Sequence, residues 1–552
     1  MQTHKSLART SSGADRKLAP VPPISVRSPR MERRHWLGRG EFAILLAVLS
    51  LAATWVGLSG HWVGDDWHMV RNYLYRDWTE LGAVFQRNAA SYLFGEDQVG
   101  PYRPVTMFTL IGTHVLVPAP WLHHAVGWLL HAATSLLLFG VLRSQTPNAA
   151  RAGNGTDERV ALALAALFFL HPVHVEAYVW INGRSDLVAG FWLVLLALLL
   201  NRVGATQERN MARLVMLGLV AFLGASSKLP FAIAAVAAWF AWATRTRATQ
   251  SRLAGSAITA GIAVHLVLRT IFAPFGGQLG ASENVFSDPV IWLSVPRLLG
   301  KGTEALLTFP AEAMQSLSWV LFGPWSPSDW FGLAIAFLIF SLLIYRRDWS
   351  GVVYWIGALL TLTPVVIVSG AFWMGFDRYL YMPSILALLA LQPTILRAVS
   401  RSRRARVALC TVGIGLLAYA TVQTHRASEA YASQDAYDQA LLRDHSDDPS
   451  IHYYFANSAS RRADRTGLRK HLSSMPPPPW PRPIIIPTYD LAIKASDTVK
   501  TREAIDALVA TARRGPRCET VRAQLEVWSE KTTDPETGQH LEKQLAALSC
   551  ER

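Results

Sequence analysis

The chain is 552 residues long, 51% hydrophobic and only 17% charged, with a mean hydropathy of +0.21, where an ordinary soluble domain carries roughly 25% charged residues. This excludes a soluble globular chain, which needs more charge to cover its surface, and a disordered one, which does not carry so much apolar mass; three cysteines exclude a disulfide-stapled scaffold. The net charge of +14 would suggest nucleic acid if it lay on one face, so its distribution matters more than its sum.

Residues 1–40 hold nine Lys/Arg against Asp15 and Glu32, a basic tail too long and polar for a signal peptide, and no small-residue cleavage site follows the next apolar run. A bilayer core of about 30 Å needs about 20 helical residues. Candidate spans are 42–60, 121–142, 160–178, 186–201, 212–226, 230–244, 253–271, 330–345, 351–370, 381–397 and 406–422. The remaining positive charge falls in short clusters between them, such as Arg143/Arg151/Arg159, Arg245/Arg247/Arg252 and Arg401/Arg403/Arg404/Arg406. A cytoplasmic N-terminus puts all of these on one side, as the positive-inside rule expects. The sequence therefore predicts an all-α polytopic membrane protein of about eleven transmembrane helices, with residues 423–552 outside and no nucleic-acid partner.

The outside loops hold the chemistry-bearing residues. Gly64-Asp65-Asp66-Trp67 follows the first span; two adjacent carboxylates near an interface repel one another, which raises one pKa and supplies a base. In Pro101-Tyr102-Arg103-Pro104-Val105 an arginine is presented rigidly between two prolines before an apolar stretch, 105–117, that is too short to cross and reads as interfacial. The next cluster is His171-Pro172-Val173-His174-Val175-Glu176 with Asn182-Gly183-Arg184-Ser185-Asp186. Ionisable residues at membrane depth are expensive and point to function. His171, His174 and Glu176 are metal-ligand types, but their spacing matches no zinc signature, and hydrogen bonding to substrate is the stronger reading. Ser226-Ser227-Lys228-Leu229-Pro230 is the whole connection between two spans, Arg269 ends another, and Phe376-Asp377-Arg378-Tyr379-Leu380-Tyr381-Met382-Pro383-Ser384 leads into the tenth. Signatures for nucleotide hydrolysis, serine hydrolysis and dinucleotide binding are absent from the sequence.

In these segments, taken in order over residues 42–400 and together with His124…His131, the chain resembles the GT-C fold glycosyltransferases that use polyprenyl-phosphate sugars. Within them it is most similar to the transmembrane and tetratricopeptide-repeat O-mannosyltransferases and their bacterial relatives. The resemblance implies that Asp65 or Asp66 deprotonates an acceptor hydroxyl, which attacks the anomeric carbon with inversion. The leaving lipid phosphate is already anionic and needs cations rather than an acid, a role implied for Arg103, Lys228, Arg269 and Arg378. Tyr102, His171, His174, Glu176, Arg184, Asp186 and Tyr381 would then line the sugar or acceptor pocket. The donor would be a polyprenyl-phosphate-linked sugar, mannose-like by family, and the acceptor a protein, lipid or glycan, in a bacterial inner membrane with the C-terminus periplasmic. No cofactor is firmly implied; a divalent metal is open.

The sequence divides into a basic tail (1–40), the transmembrane glycosyltransferase-like domain (41–422), a helical, repeat-like hairpin (423–475), a Pro-rich linker (476–487) and a C-terminal helical segment (488–552). No 34-residue recurrence is present, so the appendage reads as small and helical rather than as a full repeat array. Cys518 and Cys550 fall in this outside part, where an oxidising compartment favours a disulfide. Two readings compete with sugar transfer: a transporter or flippase of lipid-linked sugars, and a membrane-anchored helical scaffold without catalysis.

Overall fold

The structure, a computed structural model, describes residues 44, 46–64, 66, 78–87, 89, 101–145, 156–204, 210–272, 292, 294–310, 324–364, 376–478, 482–512, 518–532 and 534–548. The chain divides into Met1–Val48 and Leu49–Arg552. The first unit lies almost wholly outside the described residues, as do Asp65 and Cys550.

All regular structure among the described residues is helical. The helices are α1 (Leu46–Leu58), α2 (Pro104–Leu116), α3 (Pro120–Ser144), α4 (Thr156–Phe169), α5 (Arg184–Gly204), α6 (Met211–Ala225), α7 (Phe231–Ala243), α8 (Ala248–Phe272), α9 (Val295–Thr308), α10 (Pro327–Tyr345), α11 (Trp349–Leu362), α12 (Tyr381–Arg401) and α13 (Arg403–Glu429). Their starts follow capping chemistry. Pro104 and Pro120 open α2 and α3, where a missing N–H costs nothing. The Ser326 hydroxyl and Asp329 carboxylate form a capping box on α10, and Asp348 and Ser402 cap α11 and α13.

Six helical stretches are long and apolar enough to cross a bilayer: Pro120–Ser144, Ile181–Gly204, Ala248–Phe272, Pro327–Tyr345, Asp377–Ser400 and Arg403–Glu429. A seventh results if Asp157–Phe169 and Pro172–Tyr178, bent by 53°, form one broken span. The expected spans 42–60, 212–226, 230–244 and 351–370 fall on apolar helices of 10–17 residues, shorter than a full crossing. By length and composition, six or seven helical stretches among the described residues are able to cross a bilayer, and the expected count of about eleven is not confirmed by full-length helices.

Helix α5 is central, packing against α2, α3, α6, α7, α8 and α12. Its Leu187, Ala189, Leu193, Val194, Leu196 and Leu200 are buried in one apolar cluster with Leu138, Leu217, Phe231, Trp355 and Leu386.

The bend after α4 has a local cause. Pro172 has no N–H, so the helical ladder stops and the carbonyls of Phe168, Phe169 and Leu170 lose their ladder donors. Side chains replace them: His174 Nδ1 donates to Phe168 O (2.7 Å), His131 Nε2 to Phe169 O (3.1 Å) and Thr424 Oγ1 to Leu170 O (2.7 Å). One local side chain and two from distant segments thus hold the break and fix the direction in which the chain runs on to Glu176.

Beyond α13 lie α14 (Gln434–Asp444), α15 (Pro449–Arg461), α16 (Arg465–Ser474), α17 (Arg482–Ala495), α18 (Thr498–Ala512), α19 (Cys518–Lys531) and α20 (Pro535–Ala547). Helix α17 starts inside the expected Pro-rich linker and carries Pro487 within it. The last helices have their own apolar core, where Tyr489 stacks on Trp528 with ring centres 3.8 Å apart. Cys518 is disulfide-bonded and Cys410 is free and exposed.

Candidate functional site

The site is assembled around the turn between α6 and α7. Val105 N donates to Ser226 O (3.2 Å) and the Thr106 hydroxyl to Ser227 O (3.0 Å), docking the first turn of α2 onto that turn. From α8, His265 Nδ1 meets the Ser226 hydroxyl at 3.1 Å. These bonds fix the backbone just after Arg103 and just before Lys228. Tyr102 is buried, its hydroxyl donates to Phe85 O (2.8 Å), and its ring lies beside those of His265 and Phe272.

Lys228 is the buried centre. Its Nζ lies 2.5 Å from both carboxylate oxygens of Asp186, in the first turn of α5, and 4.0 Å from the centre of the Tyr379 ring. The Arg378 guanidinium lies over Trp180 (4.5 Å) and Tyr379 (5.2 Å), with Nε 3.7 Å from Glu176 Oε1. Asp377 N donates to Glu176 Oε2 at 3.0 Å. Arg103 is near enough for the charges of Asp186 and Arg378 to act on it, and Arg103 in turn acts on Arg269. Burial pushes the Lys228 ammonium down to about 7, against the attraction of Asp186 and with the help of Arg103 and Arg378. Burial also lowers Arg103 and pushes the Tyr102 hydroxyl up to about 12.

The acidic loop approaches from the other side. Asp66 is fully buried; its carboxylate accepts from Val63 N (3.3 Å) and Asn182 N (3.1 Å) and attracts Arg184. Gly64 has φ +56°, a left-handed conformation that favours glycine. Gly183 is required for a different reason: a Cβ there would sit 2.4 Å from Glu176 O. Asn182 and Asp186 belong to one continuous stretch, so the loop holding Asp66 and the carboxylate pairing Lys228 are joined through four residues of backbone.

The structure therefore gathers Arg103, Lys228, Asp186, Arg378, Glu176, Tyr102 and Arg269. It engages other sequence candidates elsewhere. Arg184 donates to Thr113 Oγ1 (3.2 Å) and His123 O (2.6 Å), tying α5 to α2 and α3. His171 stacks on Phe309 and meets Leu306 O at 3.1 Å. His174 joins Phe168 O and the Ser384 hydroxyl, while the Tyr381 hydroxyl meets His131 Nδ1 at 2.8 Å. Among the described residues no three His, Cys, Asp or Glu side chains are grouped to hold a metal ion. Sequence reasoning missed Tyr379 and Trp180 as ring partners for the cations; their signal was an aromatic adjacent to Arg378 and another between Glu176 and Asn182.

Comparison with known proteins adds a separate line. No family model matches the chain. It is similar to protein O-mannosyl-transferase TMTC1 of Homo sapiens, 29% identical over 180 residues, which are 32% of this chain and 20% of that protein. Over 167 residues it is 32% identical to TMTC1 of Mus musculus, covering 30% and 17% of the two chains. Protein O-mannosyl-transferase TMTC4 of Mus musculus is 28% identical over 160 residues, covering 28% and 22%. The aligned part thus spans about a fifth of the curated relatives' length. These are distant relatives, all named for O-mannosyl transfer.

Chemically, the gathered residues carry more positive than negative charge. Arg103, Lys228, Arg269 and Arg378 are basic against the acidic Asp186 and Glu176, with Lys228 on Asp186 and Arg378 on Glu176. In a low-dielectric setting such an excess favours an anion, and guanidinium groups present forked donors suited to phosphate.

Proposed function

We propose that the chain is a membrane glycosyltransferase of the GT-C type, which transfers mannose from a polyprenyl-phosphate donor to a protein hydroxyl on the extracytoplasmic face. In this reading Arg103, Lys228, Arg378 and Arg269 hold the donor phosphate. The Asp65–Asp66 pair supplies the base. Asp66 already accepts two backbone N–H bonds, which holds its carboxylate in place, and we assign proton abstraction to Asp65. The base takes the acceptor's hydroxyl proton, the oxygen attacks the anomeric carbon, and the C–O bond to phosphate breaks with inversion. The cations stabilise the charge that grows on the leaving phosphate, an electrostatic role that needs no general acid. Glu176 and Asp186 keep the cation cluster from repelling itself between turnovers.

The observation that carries the reading is the meeting of Arg103, Asp186, Lys228 and Arg378 from separate parts of the chain beside the buried Asp66 loop. The similarity to O-mannosyl-transferases supports the sugar and the protein acceptor. We place the N-terminus inside from the arginine distribution, and the chain in a bacterial inner membrane from its high usage of Arg over Lys and its short appendage. A carrier for lipid-linked sugars would place ionisable groups along the depth of several spans. Here they sit at the starts of α2, α5 and α12, the end of α8 and the α6–α7 turn, which favours chemistry at one level.

The test is donor binding and mannosyl transfer by the purified full chain in lipid nanodiscs, with a short-chain polyprenyl-phosphate mannose and Ser/Thr-rich peptides. Lys228→Ala and Arg378→Ala are each expected to weaken donor binding by about tenfold or more, the loss of one charge-assisted bond. A wild-type chain that neither binds nor consumes this donor contradicts the reading.

A further inference from the structure

The segment that follows the last span is bound along the acidic loop. Ala53 O, in α1, accepts from the Ser428 hydroxyl (3.0 Å) and meets His425 Nδ1 at 3.1 Å. Further on, a Cβ on Gly60 would lie 2.3 Å from Tyr431 O, so the two backbones run in close approach there. At the loop itself, Gly64 N donates to Gln434 Oε1 at 2.9 Å. The orientation of that amide is set from behind, because Gln434 Nε2 donates to Asp438 Oδ1 at 2.6 Å. The Tyr437 ring is buried and lies 3.6 Å from where a Gly64 Cβ would be.

We infer that Gln434 and Tyr437 are positioning residues for the Asp65–Asp66 loop, so that α14 belongs to the transfer machinery instead of being an independent appendage. Different parts of the chain hold the loop. Asn182 N holds Asp66 from the α5 side, and Gln434 holds Gly64 from the C-terminal side. Loss of the Gln434 contact removes one hold on the left-handed turn at Gly64 and so loosens the placement of Asp66 relative to the proposed phosphate-binding cations. Tyr431 lies beside both parts, close enough for the charges of Glu176, Asp377 and Arg378 to act on its hydroxyl. A change in how α14 packs is thereby felt at the base and beside the cation cluster together.

This inference rests on the proposed glycosyltransferase reading. The experiment compares wild type, Gln434→Leu, Tyr437→Leu, the polarity-reversed double variant Gln434→Glu with Asp438→Asn, and a distant control, Arg502→Ala. Transfer is assayed with polyprenyl-phosphate mannose and Ser/Thr peptides, and hydrogen exchange is followed at residues 62–66. A misplaced reacting group costs about 10- to 100-fold, so both Leu variants are expected to lose kcat on that scale with donor KM unchanged. Exchange at the Gly64 amide should accelerate in the Gln434→Leu variant. The double variant should restore both readouts, because a carboxylate at position 434 still accepts from Gly64 N while an amide at position 438 donates to it in return. Wild-type kcat in both Leu variants overturns the inference and leaves the glycosyltransferase reading standing. So does a raised donor KM, or an equal loss in the Arg502→Ala control, either of which marks general damage. Absence of transfer and donor binding in wild type removes both.

Discussion

Burial lowers the Lys228 ammonium to about 7 even with both Asp186 oxygens 2.5 Å away, because desolvation, Arg103 and Arg378 all disfavour its charge. If Lys228 holds the donor phosphate as proposed, its ammonium is in place below about 7 before the donor arrives, and above it an anionic phosphate has to recruit a proton before it gains that partner. Donor affinity should therefore fall as pH rises above about 7, by up to about tenfold per unit, until the pKa of the complex is reached. Lys228→Arg should remove this alkaline limb, since a guanidinium stays protonated throughout. Donor dissociation constants measured from pH 6 to 9 check it; the same slope in wild type and Lys228→Arg would assign the titration elsewhere. The identities of the charged residues at the site were legible in the sequence, since Arg103, Lys228, Asp186 and Arg378 stand out in apolar surroundings. Their pairing was not. The Lys228–Asp186 and Arg378–Glu176 pairs and the Tyr379 ring follow from how α5, α7 and α12 pack, which residue type alone does not encode.

At the scale of elements, the break at Pro172 is the clearest case of a sequence signal with a missing half. Proline announces that a ladder donor is lost, and His171 and His174 beside it read as a pocket. The structure gives His174 the task of capping Phe168 O, and takes the other two caps from His131 and Thr424. The span at 160–178 was legible as apolar but not as bent, for the same reason. Removing a cap leaves a buried carbonyl without its side-chain donor, at a cost of about 1–3 kcal/mol. Thr424→Val, which keeps the shape and deletes the hydroxyl, should therefore lower unfolding stability in detergent by about that amount. Its effect on transfer should come through Glu176 and Arg378, lowering donor affinity without changing the pH at which it falls. A Thr424→Val protein as stable as wild type would show that Leu170 O is satisfied without Thr424.

Across the whole molecule, composition and charge distribution specify an all-helical membrane chain, and the structure agrees in helical content, with six or seven helical stretches among the described residues long and apolar enough to cross a bilayer. Hydropathy windows do not register where a turn cuts an apolar run, as at Ser226, so the expected spans 212–226 and 230–244 correspond to helices of 15 and 13 residues. The C-terminal helices were legible as a small helical unit, but their bonds to the Gly64 loop were not, because Gln434 and Gly64 lie 370 positions apart. The disulfide at Cys518 gives this unit a test of its own. In denaturing detergent, Cys410 alone of the three cysteines is expected to alkylate before reduction and all three after it. Immediate labelling at Cys518 would contradict that pairing. The central claim, that Arg103, Lys228 and Arg378 form the phosphate seat of a sugar transferase, is tested most directly by an experimental structure with a short-chain polyprenyl-phosphate mannose bound. The account predicts phosphate oxygens about 3 Å from Lys228 Nζ and the arginine guanidinium groups, with the anomeric carbon turned toward the Asp65–Asp66 loop. A donor held among the arginines at the opposite ends of the helices would contradict it.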